Sequence, residues 1–241
     1  MFTLGLTGEV ATITIDRGAK ANAVPIDQWG ELEKLVGKAN IGPASAIVIR
    51  SASRRDFCAG SDLGELDRLS SDATLRRRFR GAMKSVFARI RAVNKPTIAV
   101  VDGRCMGTGL SIAMACDIRV CGPDATFGLT PAQFGISYPK EDVERLERLV
   151  GFGQAARLLY SSRSIDGEEA YRIGLVEILD RSPNVGAELI ADITDNASSS
   201  LATLKASLIG RAGADKRFDD HFETAEFAAR LDSYGSKKNA L

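Results

Sequence analysis

Strand-like and helix-like patterns alternate along the first hundred residues of this 241-residue chain. Runs rich in valine, isoleucine and threonine lie at 10–15, 46–50 and 97–101. Between them apolar residues repeat every three or four positions, the spacing of a helix that buries one face. These residues are Trp29, Leu32, Leu35, Val36 and Ala39, then Leu75, Phe79, Met83, Val86, Ile90 and Val93. The order strand, helix, strand, helix, strand predicts an α/β fold.

The rest of the chain predicts one domain that ends in helices. Short elements follow from about residue 103, and helical patterns dominate from about 141 to the end. Asp166 is placed to cap one of these helices and Gly174 to stop it. No linker, low-complexity tract or repeat divides the chain. We therefore expect a single domain over 1–241, with a core to about 195 and a helical region over 196–241.

Charge and hydropathy exclude several classes of partner. Lysine and arginine total 32 against 31 acidic residues, so the chain offers no broad positive field for nucleic acid or anionic lipid. The arginines at 76, 77, 78 and 80 are interpreted as one solvated helix face. The N-terminus lacks the features of a signal peptide, and no run of about 18 apolar residues follows. We predict a cytoplasmic protein that binds neither nucleic acid nor membrane.

The thiols and the one imidazole limit the available chemistry. Cys58, Cys105, Cys116 and Cys121 are not spaced as a zinc site, so we expect buried, reduced thiols and no metal. His221 is the only histidine and lies in a polar helical segment near the C-terminus. We interpret it as a surface residue.

Two glycine-bearing turns, within 54–63 and 102–117, each follow a strand and precede a helix. A turn that enters a helix has amide hydrogens without helical partners, and the helix dipole adds positive potential. Two such turns that face each other form an oxyanion hole. Each turn alone also has a structural explanation, since glycine relieves a positive φ or a close contact.

The motifs around these turns resemble the enoyl-CoA hydratase/isomerase family, the crotonase superfamily. Phe57-Cys58-Ala59-Gly60-Ser61-Asp62-Leu63 matches the family's Phe-x-Ala-Gly-x-Asp-Leu segment, and Arg17 to Ala23 is similar to its Arg-Pro-x-x-x-Asn-Ala loop. Further matches follow in the family's order at Lys95-Pro96, Asp102-Gly103, Met106 to Gly109, Ala115 to Arg119, Thr126 to Leu129, Arg145-Leu146, Leu149 to Gly151 and Ala170 to Val176. The resemblance covers most of the chain and implies a crotonase-like spiral of ββα units.

This resemblance implies an acyl-CoA thioester as the ligand, with coenzyme A as part of the substrate and no permanently bound cofactor. Its carbonyl would accept hydrogen bonds from the amides of Ala59 and Thr108. The nucleotide would lie near Lys20, Ala21 and Asn22 and along Ala59, Gly60, Ser61, Asp62 and Leu63, with Lys20, Arg54 and Arg55 as candidate phosphate partners. The C-terminal helices would assemble a homotrimer or hexamer.

The catalytic positions depart from the family. Its hydratases hold a water between two glutamates, because water addition requires one group to take a proton and another to give one. Ser111 and Pro131 occupy those positions here, so we predict that ordinary hydration is lost. A glycine-rich stretch is replaced by Tyr138-Pro139-Lys140-Glu141-Asp142. The candidates for proton transfer are Tyr138 first, then Glu141, Asp142 and Ser111, although Glu141 and Asp142 also suit the first turn of a helix.

Three functions remain open from the sequence. The first is an acyl-CoA lyase or isomerase that stabilises a thioester enolate. The second is a CoA-thioester-binding protein without catalysis, acting as a sensor or assembly partner. The third is a serine peptidase of the related Clp-type fold with Ser111 or a neighbouring hydroxyl as nucleophile, for which no suitably placed histidine is present.

Overall fold

Two sheets carry the strands of the computed structural model, which describes residues 1–238. The larger sheet has the spatial order β1 (Phe2–Thr7), β2 (Val10–Ile15), β3 (Ala46–Ser51), β5 (Thr97–Val101), β7 (Ile118–Cys121) and β10 (Ile178–Leu179). The smaller sheet has the order β4 (Asp56–Cys58), β6 (Arg104–Met106), β8 (Thr126–Gly128) and β9 (Ile165–Asp166). Only the β1–β2 and β8–β9 pairs among these are antiparallel. The predicted α/β class is confirmed.

Ten α-helices complete the described part of the chain. They are α1 (Trp29–Ile41), α2 (Leu63–Ser71), α3 (Ala73–Ala92), α4 (Thr108–Ala115), α5 (Lys140–Ser161), α6 (Gly167–Arg172), α7 (Ala187–Thr194), α8 (Ser198–Leu208), α9 (Ala214–Phe222) and α10 (Ala225–Lys238).

The apolar residues that repeat along the predicted strands and helices form the core, as predicted. The three predicted strands are β2, β3 and β5, and all five predicted apolar positions of α1 are buried. Trp29 packs edge-on against Phe87 of α3, with ring centroids 5.7 Å apart. Each fully buried side chain of this size stabilises the fold by about 1.5–3 kcal/mol. In α3 the burial is complete at Met83, Val86 and Ile90 but partial at Leu75 and Phe79.

The spiral repeats one unit, in which a strand of the larger sheet leads to a strand of the smaller sheet and then to a helix. β3, β4 and α2 form one such unit, and β5, β6 and α4 form the next. β4 pairs in parallel with β6, with Cys58 opposite Cys105. The turns that follow these two strands therefore lie at the same edge of the smaller sheet.

The C-terminal region is helical, as expected for 196–241, and residues 239–241 lie outside the described part. Asp166 caps α6 by accepting a hydrogen bond from the Glu169 amide at 2.8 Å. Gly174 has a φ of +79° shortly after the helix ends, so both predicted helix signals are confirmed. Large apolar side chains of α8 to α10, including Leu208, Phe218 and Leu231, remain exposed.

All four thiols are free and buried, as predicted. Burial raises the pKa of Cys58, Cys116 and Cys121 to about 12 and that of Cys105 well above its usual value. None of the helices over 1–238 has both the length and the apolar character needed to cross a membrane.

Candidate active site

The turn after β6 presents one amide without a partner. Gly107, with a φ of +56°, leads into Thr108, the first residue of α4. An amide at the first helical position has no carbonyl to bond within its own helix. The Thr108 N–H has no hydrogen-bond partner in the described part of the chain. It is available to an acceptor in front of the helix.

The turn after β4 presents a second amide, that of Ser61. Val24 bridges this turn, because its N–H donates to the Gly60 carbonyl at 2.7 Å and its carbonyl accepts from the Asp62 N–H at 3.0 Å. In an extended ladder neighbouring residues direct their polar groups to opposite sides. The Ser61 N–H therefore points away from Val24, and residues 1–238 offer it no partner.

These two turns approach each other closely. A methyl group placed on Gly60 would lie 3.2 Å from the Thr108 nitrogen and 2.9 Å from the Met106 carbonyl oxygen. Gly60 also has a φ of +97°. Only glycine meets both requirements, which explains the glycine of the first turn. The side chains of the two donor residues meet as well, with Ser61 Oγ 3.0 Å from Thr108 Oγ1.

The prediction that Ala59 supplies an amide to the site is wrong in this structure. The Ala59 N–H donates to the Ala21 carbonyl at 2.9 Å, so it is already used within the fold. The available amide on this turn belongs to Ser61, which was predicted as one of the nucleotide contacts. The Ser61 amide is free because residues 60–62 pair with Val24 as a short extended segment. No periodic pattern in the sequence indicates this pairing.

Ser111, Tyr138 and Asp142 come together in one narrow pocket behind the turns. Ser111 lies on the first half of α4, and Asp142 lies in the first turn of α5. The space between the pocket walls does not admit a water molecule. The lining residues are Ser111, Met114, Leu129, Tyr138, Asp142, Val143, Leu146 and Leu159.

Asp142 is the titratable group of this pocket. It is 8% exposed, and burial raises its pKa to about 6, since a charged carboxylate is poorly solvated there. The charge of Arg91 and the nearby Ser111 hydroxyl act in the opposite direction. Asp142 Oδ2 and Ser111 Oγ both lack a hydrogen bond of normal geometry within residues 1–238. A buried carboxylate oxygen without a donor is costly, so this group is poised to take a proton.

The Tyr138 hydroxyl faces the start of α4. A methyl group placed on Gly107 would lie 3.2 Å from Tyr138 Oη, which puts the phenol beside the turn that carries Thr108. Burial, with a further contribution from the Asp142 charge, raises the Tyr138 pKa. The phenol therefore remains protonated near neutral pH and can donate a hydrogen bond.

Glu141 does not belong to this cluster. Its side chain is exposed and forms an ion pair with Lys84 at 2.5 Å, which lowers its pKa. The prediction of Glu141 as a proton-transfer residue is therefore not supported by its position. Pro131 is buried and begins a short 3-10 turn, Pro131–Phe134. Its side chain has no group that takes or gives a proton.

The comparisons with known proteins agree on one family. The sequence profile of the enoyl-CoA hydratase/isomerase family matches residues 6–234. The chain belongs to this family. It is 34% identical over 194 residues to the short-chain-enoyl-CoA hydratase of Clostridium acetobutylicum, covering 79% of this chain and 74% of that protein. It is 30% identical over 175 residues to the peroxisomal Δ3,5-Δ2,4-dienoyl-CoA isomerase of Arabidopsis thaliana, covering 68% of this chain and 63% of that protein.

Solved structures support the same assignment. An enoyl-CoA hydratase/isomerase family protein from Hyphomonas neptunium superposes with a TM-score of 0.91 at 27% identity. The alignment covers 98% of this chain and 95% of that one. The predicted crotonase-like fold is confirmed over nearly the whole length.

Two residues predicted to lie along the nucleotide, Asn22 and Asp62, form hydrogen bonds within the protein through their side chains. The Asn22 side chain is fully buried, accepts from the Arg17 N–H at 2.7 Å and donates to Ser51 Oγ and the Asp56 carbonyl, each at 2.8 Å. Asp62 accepts from Arg17 at 2.6 Å and caps α2 at the Gly64 amide. Their side chains hold the two loops together, and the placement of the nucleotide along these residues stays a prediction.

The remaining predicted contacts separate into two groups. Lys20 and Leu63 are exposed. Ala21, the residue after Lys20, accepts from the Ala59 amide with its carbonyl. The Arg17 hydrogen bond and, more weakly, the charge of Lys20 lower the pKa of Asp62, which places Lys20 near α2. Arg54 and Arg55 precede β4 and lie beside Gly103, at the end of the strand opposite Ser61. Of the three predicted cations, only Lys20 is near the turns.

His221 lies on α9, where its Nε2 is 2.9 Å from Thr203 Oγ1 of α8. The residues that line the Ser111 pocket include no histidine. Ser111 therefore has no base of the kind that activates a serine nucleophile, which removes the peptidase interpretation.

Proposed function

We propose that this protein is an acyl-CoA enzyme that holds a thioester carbonyl between the amides of Ser61 and Thr108. Membership of the enoyl-CoA hydratase/isomerase family supports the class of ligand. Two unpartnered amides on facing turns suit an oxygen that gains negative charge, and one of them begins a helix. An α-carbon next to a carbonyl held in this way loses a proton more readily.

The buried carboxyl of Asp142 is the observation that carries the proposal. A general base works best when its pKa lies near the working pH, and the Asp142 pKa of about 6 meets that condition. In the proposed step Asp142 takes the α-proton of the acyl group. The electron pair of the broken C–H bond moves into the thioester to form an enolate, whose oxygen accepts from Ser61 and Thr108.

Tyr138 is the proposed donor that completes the reaction. Its protonated hydroxyl lies beside Gly107, the residue before Thr108. It can donate to the enolate or to a departing group without a buried charge. A proton returned to a different carbon of the conjugated enolate gives an isomerisation. In a lyase reaction the enolate electrons form the α,β double bond, the bond from the β-carbon to its substituent breaks, and the substituent leaves with a proton from Tyr138.

Water addition is not the proposed reaction. Ser111 and Pro131 offer no carboxylate pair to take a proton from water and to give one to carbon. We expect crotonyl-CoA to be hydrated far below about ten turnovers per second, a typical enzymatic rate. Hydration at that rate would contradict this part of the proposal.

The test is exchange of α-protons in deuterated water, measured by NMR on a panel of saturated acyl-CoA thioesters. Exchange reports the enolate when the proton taken by Asp142 is replaced by solvent deuterium before carbon is protonated again. We expect exchange with the native protein and a loss of at least about a hundredfold in Asp142→Asn. Exchange that persists in this variant would reject Asp142 as the base.

A second candidate function is binding of CoA thioesters without turnover. The narrowness of the pocket favours it, because the acyl group must displace side chains to reach Asp142. The same experiment separates the two functions. Binding of every thioester in the panel, with no exchange in any of them, would support the binding protein.

A further inference from the structure

The side chains of Ser61 and Thr108 form a hydrogen bond that has no role in the proton transfers proposed above. We propose that this hydroxyl pair is a latch that fixes the separation of the two amide donors. The inference rests on the proposed function, since it assigns the pair a role in polarising the thioester carbonyl. Ser61 and Thr108 act here as positioning residues through their side chains, while their backbone amides contact the ligand.

The contacts between the two turns support a latch. The paired strands β4 and β6 end at Cys58 and Met106, so the ladder does not extend to the donors. Beyond these strand ends, Ser61 Oγ to Thr108 Oγ1 at 3.0 Å is the only hydrogen bond between 59–61 and 107–108 within residues 1–238. Gly60 lies so close to the second turn that an added methyl group would be 3.2 Å from the Thr108 nitrogen, but this approach is not directional as a hydrogen bond is.

Covalent geometry transmits the restraint to the amides. Each hydroxyl oxygen is three bonds from the amide nitrogen of its own residue, so a fixed oxygen pair limits how far the nitrogens can separate. Thr108 is 9% exposed, which keeps water from competing strongly for its hydroxyl. Donors aimed at a developing oxyanion lose effect with displacements of about 1 Å or less. The hydrogen bond between the Ser61 and Thr108 hydroxyls therefore helps to keep the two amide donors aligned with the thioester oxygen.

The experiment reads the carbonyl directly by difference infrared spectroscopy of acetyl-CoA labelled with 13C at the thioester carbon. Aligned donors lower the stretching frequency of the bound carbonyl relative to free acetyl-CoA. The variants are Ser61→Ala, Thr108→Val, their double variant, and Thr108→Ser, which retains the hydroxyl. Thr194→Val removes a hydroxyl from α7 and is the matched control. Thermal unfolding of each variant confirms that it folds.

A latch predicts losses that do not add. Ser61→Ala and Thr108→Val should reduce the frequency shift equally and the double variant no further, because either change breaks the same bond. The α-proton exchange should fall about tenfold in each single variant and about tenfold, not a hundredfold, in the double. Thr194→Val should match the native protein, and Thr108→Ser should lose less of the frequency shift and of the exchange rate than Thr108→Val, because it retains the hydroxyl. Acetyl-CoA affinity should change by less than about tenfold throughout.

Additive losses, or an unchanged carbonyl frequency in both single variants, would overturn the latch and leave the proposed function standing. A native protein that does not bind acetyl-CoA or any longer thioester would reject the proposed function itself. The two failures are therefore distinguishable. Thr108→Val keeps the shape of the side chain, so its result stands even if Ser61→Ala disturbs the first turn.

Discussion

At the scale of single residues, Asp142 determines how the proposed site responds to pH. Its pKa of about 6 means that the carboxylate, the form that takes a proton, gains population as pH rises through 6. We expect the rate of α-proton exchange to rise with pH, with an apparent pKa near 6, and to level off above about 7. The measurement is a pH–rate profile of the native protein from pH 4.5 to 8. A flat profile over this range would contradict the assignment.

The same carboxyl also affects stability. Its folded pKa lies above the unfolded value of about 3.9, so the folded state binds more protons between pH 4 and 6 and stability falls as pH rises through this window. Asp142→Asn removes the buried charge. We expect it to raise the free energy of unfolding by about 2 kcal/mol at pH 7.5 and by little at pH 4. Urea unfolding at both pH values measures this.

Glu141→Gln is the matched control for the stability experiment. It changes the neighbouring carboxylate, which is exposed and paired with Lys84. Loss of an exposed ion pair changes stability little and does not stabilise the protein. A gain in Glu141→Gln equal to that in Asp142→Asn would show that general surface charge, and not burial, is responsible.

Tyr138→Phe separates the chemical role of the phenol from its packing. The ring stays in place and the hydroxyl beside Gly107 is lost. We expect turnover to fall about a hundredfold while CoA-thioester binding is retained, as for removal of a general acid. Steady-state kinetics with a thioester that shows exchange in the panel measure the turnover of both proteins. Unchanged turnover would reduce Tyr138 to a space-filling residue.

The errors at this scale have physical causes. Glu141 and Asp142 are adjacent in sequence, but Asp142 precedes Leu146 by four residues and shares its buried helix face. Helical spacing could have separated them. Ala59 and Ser61 could not be separated from the sequence, because their amides differ only in that the Ala21 carbonyl accepts from Ala59, whereas no carbonyl in residues 1–238 accepts from Ser61. The buried role of Asn22 likewise depends on partners about 30 residues away, at Ser51 and Asp56.

At the scale of elements, the contact between α4 and β4 controls the distance between the turns. A methyl group on Gly109 would lie 2.4 Å from the Cys58 carbonyl oxygen and 2.8 Å from Cys58 Cβ. Gly109→Ala must push α4 away from β4 and move the Thr108 amide with it. We expect a loss of about 2 kcal/mol in stability and at least about tenfold in α-proton exchange.

Gly81→Ala is the control for this change. Gly81 lies inside α3, and nothing lies within 4 Å of an added methyl group. The substitution should stabilise the protein by about 0.5–1 kcal/mol, since alanine favours a helix. Chemical unfolding and NMR exchange measure both variants. If Gly109→Ala and Gly81→Ala changed stability and α-proton exchange equally, the close contact between α4 and β4 would not control the position of the Thr108 amide.

The sequence predicts the long elements better than the short ones. β2, β3, β5, α1 and α3 have enough residues for a period of two or 3.6 to appear. β4, β6 and β8 have three residues each, too few for an alternating pattern, and they form the sheet that supports the site. The resemblance of motifs to a known family, and not periodicity, indicated this second sheet.

At the scale of the whole molecule, we expect a homotrimer or a pair of trimers. The exposed apolar side chains of α8 to α10 give such an assembly a surface to bury, and closed cyclic symmetry is common among homo-oligomers. Leu208→Glu, at a side chain 86% exposed on α8, should reduce the mass measured by light scattering. Ile41→Glu, 85% exposed on α1, should leave it unchanged. A monomeric native protein at micromolar concentration would contradict the expectation.

The four buried thiols can be used to measure local unfolding of the core. Cys58, Cys105 and Cys121 lie on strands of both sheets, and Cys116 follows α4. Only the thiolate reacts with alkylating agents, and burial suppresses it at all four positions. Alkylation followed by peptide mass spectrometry would therefore count how often each part of the core becomes accessible to solvent. A ligand bound across the two turns should slow labelling of Cys58 and Cys105 most, without any probe being introduced.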